Sequence, residues 1–146
     1  MKKPFEPNFN TPKEDFTKEE INKLNKEVVF TQMSNEMRDD SNTDVAWEVE
    51  QIAKSFGFYL EFDRGIKGEK NWMYMIRIAN PSGGPLSREQ YIAYDQLSEK
   101  HGIKPNKIPT LRATTRQTFQ FHWINKEGVI DICKSMAEVG QSSLNG

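Results

Sequence analysis

Residues 43–146 predict an α+β fold: a small, mostly antiparallel sheet with helices on one face. Three observations carry this expectation. Helical and extended patterns follow one another in the order helix, strand, strand, helix, strand, helix. Two capping boxes, Thr17-Lys-Glu-Glu20 and Ser87-Arg-Glu-Gln90, mark helix starts at which a hydroxyl accepts from the amide three residues on while Glu or Gln reaches back. With 11% aromatic residues the chain also has too much large apolar surface to remain disordered, despite 36% hydrophobic content.

The first sixteen residues hold Pro4, Pro7 and Pro12 among Asn and Lys, with phenylalanines at 5, 9 and 16. They have no period, which predicts an extended arm. The Thr17 capping box opens a short helix through Ile21 and Leu24. Residues 25–42 are polar and unpatterned, so 1–42 is expected as arm, short helix and linker, with 43–146 as the folded half-module. Thr43-Asp44 is a candidate cap for a helix with Trp47, Ile52, Ala53 and Phe56 as its apolar stripe, and Gly57 suits the left-handed residue that ends it.

Phe58 to Phe62 and Trp72 to Ile78 are strands by their aromatic and β-branched content, joined by a charged hairpin loop over 63–71. The Trp72-Met-Tyr-Met75 run reads as strand core, with an aromatic and methionine wall beside a planar cofactor as the alternative. Asn80 to Pro85 is a loop with two glycines. The Ser87 box opens a helix through Tyr91, Tyr94 and Leu97 to Gly102. Pro105 and Pro109 then lead into a long extended run, 110–124. Asn125 caps a last helix with Val129, Ile132, Cys133 and Met136 on one side, and Gly140 ends it. This order is that of a ferredoxin-like half-module preceded by an extended arm.

Composition bounds the function. Twenty Lys+Arg against 21 Asp+Glu argue against coating nucleic acid or an anionic membrane, which needs a strongly basic balance. No stretch approaches the ~18 consecutive apolar residues of a membrane span, and the N-terminus has no apolar signal core. A soluble protein of the cytoplasm is expected. A single cysteine excludes an internal disulfide framework and any Cys₂ to Cys₄ metal or iron–sulfur site built by this chain alone.

The informative segment is Thr110 to Ile124. On an extended strand alternate residues share a face. The even set is then Arg112, Thr114, Arg116, Thr118, Gln120 and His122, and the odd set Leu111, Ala113, Thr115, Gln117, Phe119, Phe121 and Trp123. The even face presents guanidiniums, an imidazole, an amide and hydroxyls with no acid, which suits a large anion bound through arginine forks. The other reading is the wet side of an antiparallel strand. Arg77, at the end of an apolar strand, either joins Arg112 and Arg116 at one anion pocket or is a charge that protects a sheet edge. His122 has no second histidine or carboxylate at metal-ligand spacing and reads as a hydrogen-bonding wall. His101 reads as a helix C-terminal histidine, and Cys133 as a buried structural thiol. The aromatics at 119, 121 and 123 face away from the arginines, which weakens a nucleic-acid platform.

Leu111-Arg-Ala-Thr-Thr-Arg-Gln-Thr-Phe-Gln-Phe-His122 resembles the signature segment of the sirohaem- and 4Fe–4S-dependent sulfite and nitrite reductases. Tyr74-Met-Ile-Arg-Ile-Ala-Asn-Pro-Ser-Gly-Gly84 resembles that family's upstream segment, in which an arginine follows two apolar residues and precedes a Pro/Gly loop. The similarity extends from about Trp47 to Val139. The resemblance implies that Arg112, Thr114, Arg116, Gln120 and His122 contact sirohaem, a macrocycle bearing eight carboxylates, with Thr115 doing so through backbone or a local bulge. It implies that Arg77 is the catalytic arginine at the substrate-anion site.

Family members hold the cluster with four cysteines in two pairs, none of which is present, and Cys133 sits instead inside a helix. Trp123 stands where glycine is usual after the histidine. The resemblance therefore implies the amino-terminal portion of a reductase that converts sulfite to sulfide or nitrite to ammonia, inactive alone. Sirohaem and a 4Fe–4S cluster would belong to the complete enzyme, and the remainder of the reductase would supply the second half-module and the cluster ligands. A donor such as ferredoxin would supply electrons. The alternatives are a stand-alone tetrapyrrole- or polyanion-binding module, or an assembly subunit, without catalysis.

Overall fold

The computed structural model describes residues 11–62, 72–80, 83–102 and 110–146. Within them, β1 (Phe58–Phe62), β2 (Trp72–Arg77), β3 (Leu111–Ala113) and β4 (Phe119–Ile124) form one antiparallel sheet in the order β1-β2-β4-β3. Five α-helices accompany it: α1 (Lys18–Leu24), α2 (Met33–Arg38), α3 (Trp47–Ala53), α4 (Arg88–His101) and α5 (Lys126–Glu138). This is the α+β half-module the sequence predicts.

Alternation along the strands gives the sheet one dry and one open face. Tyr74 and Ile76 of β2, Phe58 of β1, and Phe121 and Ile124 of β4 join Tyr94 and Leu97 of α4 and Val129, Ile132 and Met136 of α5 in one core. Ile76, Phe121, Ile124 and Ile132 are wholly buried, each worth roughly 1.5–3 kcal/mol by transfer from water. Tyr94 lies over β4, its ring centroid 4.8 Å from that of Phe119 and 5.8 Å from that of Phe121. The helices therefore cover one face, and residues of opposite parity are left on the other.

Both capping boxes form. The Glu20 amide donates to Thr17 Oγ1 at 3.3 Å and the Thr17 amide to Glu20 Oε2 at 2.8 Å. The Gln90 amide donates to Ser87 Oγ at 3.2 Å and the Ser87 amide to Gln90 Oε1 at 2.9 Å. Such caps contribute about 1 kcal/mol each. Asn125 caps α5 through Gly128 N–H at 2.8 Å, and Gly57 has the left-handed φ of 78° after a 3₁₀ turn, Lys54–Phe56.

Three expectations are corrected, for residues 25–42, for the start of α3 and for the run 110–124. Residues 25–42 are no linker: a π-helical segment, Val28–Gln32, runs into α2, burying Val28 against Val49 and Ile52 and Met37 in the main core. Sparse apolar residues suffice there because the buried Lys126 side chain ties the segment down, Nζ donating to the carbonyls of Glu36 at 2.8 Å and Asp39 at 3.1 Å. The α3 N-cap is Ala46 with no side-chain cap, its amide donating instead to Glu36 Oε2 at 2.7 Å, and Trp47 is exposed. In α1 the buried residue is Asn22, whose amide reaches the Glu48 carbonyl at 2.8 Å, while Ile21 and Leu24 are exposed. The extended run 110–124 is a hairpin: Thr114 N–H bonds to Thr118 O and Gln117 N–H to Thr114 O, with Gln117 at φ 58°. Its sequence hides the turn because it contains neither Gly nor Pro. Of the expected arm, Lys13–Asp15 forms a 3₁₀ turn; residues 1–10, the 63–71 loop, Pro105 and Pro109 lie outside the described residues.

Candidate functional site

β3 and β4 pair so that Arg112 stands opposite Gln120, and Gln120 stands opposite Arg77 of β2. Residues facing each other on adjacent strands share a face, so Arg77, Gln120 and Arg112 cross the open side of the sheet in one row. His122 follows two residues after Gln120. Arg77, Arg112 and His122 then line an open groove of about 590 Å³, together with Tyr59, Leu60, Glu61, Met75 and Trp123.

The groove is wired laterally. With its amide oxygen turned to β2, Gln120 accepts from Arg77 Nη2 at 2.5 Å and Nε at 2.6 Å. The amide nitrogen of the same side chain then occupies the position 3.4 Å from His122 Nε2. An Nε2 that accepts leaves the neutral ring its proton on Nδ1, which lies 3.3 Å from Glu61 Oε2. Glu61, His122, Gln120 and Arg77 are thus consecutive members of one polar chain across β1, β4 and β2. The Arg77 guanidinium also stands 5.8 Å from the centre of the Tyr59 ring, within cation–π range. Among the described residues, no ion pair engages Arg77, Arg112 or Arg116, so their charge remains available to an anion.

The hairpin divides the remaining candidates. Thr114, Thr115 and Arg116 belong to the β3–β4 turn and not to a strand face. Arg116 is exposed there and lines a second, smaller hollow of about 250 Å³ with Arg77, Asn80, Thr118 and Asn145. Arg77 therefore borders both hollows, while Arg112 and Arg116 each border one. Thr115 is exposed; Thr114 is half-buried, and its Oγ1 is buried without a partner. Thr118 is buried, its hydroxyl donating to the Ile78 carbonyl. His122 is 8% exposed and so is a wall of the groove whose ring edge is spoken for by Glu61 and Gln120.

Trp123 departs most from its expected place. Ile76 pairs with Phe121 but Tyr74 with Ile124, so His122 and Trp123 stand against Met75 alone in a β-bulge. Trp123 has φ 61°, a left-handed conformation that costs a non-glycine residue roughly 1–2 kcal/mol. The bulge re-aims its indole from the core side to the groove, beside the side chain that precedes it.

Four groove residues escape strand-parity reading of 110–124: Tyr59, Leu60, Glu61 and Met75. Alternation in Phe58-Tyr-Leu-Glu-Phe62 puts Tyr59 and Glu61 together on one face, which is the signal that finds them. Glu61 is the carboxylate partner of His122 that lies far off in sequence.

The donor set suits a polycarboxylate macrocycle along its rim: guanidiniums that no ion pair engages among the described residues, beside the apolar surface of Met75 and Tyr59. It does not suit an iron–sulfur cluster held by this chain. One cysteine cannot supply four thiolates, and Cys133 packs against the core with its Sγ 3.7 Å from Ser143 Oγ. Burial raises its thiol pKa, partly offset by Ser143. Among the described residues no group of three His, Cys, Asp or Glu could hold a metal ion.

Residues 66–139 match the family model described as the nitrite/sulfite reductase ferredoxin-like half domain. The sulfite reductase [NADPH] hemoprotein beta-component of Bacillus subtilis is 34% identical over 108 residues, covering 69% of this chain and 16% of that protein. Its counterpart in Nitrosomonas europaea is 34% identical over 96 residues, covering 61% and 16%. The sulfite reductase [ferredoxin] of Synechococcus elongatus is 37% identical over 91 residues, covering 60% and 14%. Among solved structures, that of the Mycobacterium tuberculosis NirA protein superposes with a TM-score of 0.59 at 20% identity, over 69% of this chain and 19% of that one, a likeness of fold. The matched stretch amounts to about a sixth of the length of the first of these relatives.

Proposed function

The chain belongs to the nitrite/sulfite reductase ferredoxin-like half-domain family, and we propose that it serves a sulfite- or nitrite-reducing enzyme as the wall that binds sirohaem carboxylates and the substrate oxyanion. The observation that carries this reading is the groove in which Arg77, Arg112 and His122 meet, with neither arginine in an ion pair among the described residues. Arg112 would take macrocycle carboxylates from the β3 side, and Arg116, with the exposed turn residue Thr115, would take them from beyond the hairpin; the Thr114 hydroxyl is buried and stands apart from them. Gln120 holds the Arg77 fork in place, so that its remaining N–H groups are preorganised for an oxyanion. His122, its ring nitrogens engaged by Glu61 and Gln120, would serve as a fixed wall of the groove.

When bound, sirohaem would supply the redox-active iron and the 4Fe–4S cluster a relay for electrons. The cluster's thiolates would come from the remainder of the reductase and the electrons from a donor such as ferredoxin, so the chain alone would bind cofactor without turning over. Titration of sirohaem into the 146-residue chain tests the binding role. Saturable uptake with a shifted Soret band is expected, weakened about tenfold or more by Arg112→Ala, in keeping with the loss of a charge-assisted fork. Uptake that is absent, or indifferent to Arg112 and Arg116, would remove the groove from cofactor binding. For Arg77→Ala in the reconstituted enzyme the larger loss is expected in oxyanion affinity or turnover; unchanged kinetics with both sulfite and nitrite would take Arg77 out of the anion site.

A further inference from the structure

We infer that Trp123 is the aromatic wall of the groove, packing its indole against the flat face of a planar, conjugated polycarboxylate whose rim the arginines hold. This rests on the cationic-groove reading and adds the residue that recognises the ligand's face instead of its charges. Two successive strand residues normally point to opposite sides of a sheet. Here His122 and Trp123 line the same groove, because the bulge against Met75 and the left-handed Trp123 backbone turn the indole outward. Glycine takes that backbone conformation without penalty, yet the position carries the side chain with the largest π surface.

Trp123 is half-buried and takes no part in the core cluster, so core packing does not account for it. Its neighbours in the groove do: Arg112 for anionic groups, Met75 and Tyr59 for apolar contact. A side chain with this geometry suits a ligand that is both flat and anionic, since stacking on an aromatic face requires only a π system and arginine forks require only the carboxylates.

Uroporphyrin I, an iron-free tetrapyrrole with carboxylates around its rim, is the probe. Its binding to the wild-type chain, Trp123→Gly, Trp123→Phe and Arg112→Ala is followed by the Soret band, with circular dichroism as the check on folding. Trp123→Gly is expected to bind about tenfold more weakly at unchanged secondary structure, and Trp123→Phe to keep affinity within about threefold of wild type, because a smaller ring still stacks. Should the glycine variant not fold, Trp123→Asn replaces it, since Asn accepts the left-handed conformation. Equal or tighter binding by the glycine or asparagine variant overturns the inference while leaving the cationic groove intact, provided Arg112→Ala weakens uptake. No uptake by wild type, or uptake indifferent to Arg112→Ala, overturns the groove reading and the inference with it.

Discussion

Gln120 grips the Arg77 guanidinium at two points, its amide oxygen accepting from Nη2 at 2.5 Å and from Nε at 2.6 Å. The two residues face each other across β2 and β4, so backbone pairing fixes the approach and the side chains complete it. A flexible arginine is thereby ordered before any ligand arrives, which lowers the entropy that binding must offset. Glutamate at this position would keep the shape and neutralise the charge. Gln120→Glu is expected to hold or slightly raise the thermal midpoint while weakening uroporphyrin binding about tenfold or more. Undiminished binding would mean that the clamped guanidinium does not serve an anion.

Gly57 sits where the chain passes between β2 and the C-terminal tail. Its φ is 78°, and a Cβ there would collide with Ser143 O and stand 2.8 Å from Arg77 O, both backbone atoms. The tail it would displace is held by Ala79 N–H to Ser142 O at 2.7 Å and Asn145 N–H to Ser55 O at 3.0 Å. Gly57→Ala is expected to cost about 2 kcal/mol or more, the left-handed penalty together with the clash. Urea unfolding checks it, and a cost below ~0.5 kcal/mol would show that the tail yields freely.

The parts of this fold legible in the sequence were those set by local rules. Thr17, Ser87 and Asn125 announce helix starts because capping acts within four residues, and alternation through Tyr74 and Ile76 finds the core face of β2. What stayed hidden depends on partners distant in the chain. The helical segment 28–38 is tied at its end to Lys126, nearly ninety residues on. Thr114 to Gln117 turn without glycine or proline, and the parity rule, sound for Arg112, Gln120 and His122, failed from Thr114 to Thr118 and again at the Trp123 bulge. The site was visible in composition, as arginines with no acid among them, and invisible in its wiring, since Glu61 is brought to His122 only by the β1–β2–β4 order.

Lys126 offers a test of that long-range dependence. It is 5% exposed, and its ammonium is satisfied by the carbonyls of Glu36 and Asp39 at the end of α2, where the helix dipole also favours a cation. Lys126→Met preserves the aliphatic stem and deletes the charge-assisted bonds. A loss of about 1.5–3 kcal/mol is expected, with hydrogen-exchange protection falling first across 28–38. Protection there equal to wild type would mean that burial of Val28 and Met37 alone holds the segment.

His101 and Lys100, at the end of α4, both reach one carboxylate on α5: Lys100 Nζ lies 2.8 Å and His101 Nε2 2.5 Å from Asp131 Oδ2. Hydrogen bonds from Lys100 and then His101 hold the Asp131 pKa below its ordinary 3.8. A carboxyl depressed in the folded state contributes stability above its unfolded pKa and loses it as pH falls through the folded one. The advantage of wild type over Asp131→Asn is therefore expected to be full at ~pH 5 and to shrink steadily on acidification below ~pH 4. Urea unfolding of both proteins across that range measures it. A difference that persisted undiminished at ~pH 2 would show that the α4–α5 contact draws its stability from packing around His101 and not from the ionised carboxylate.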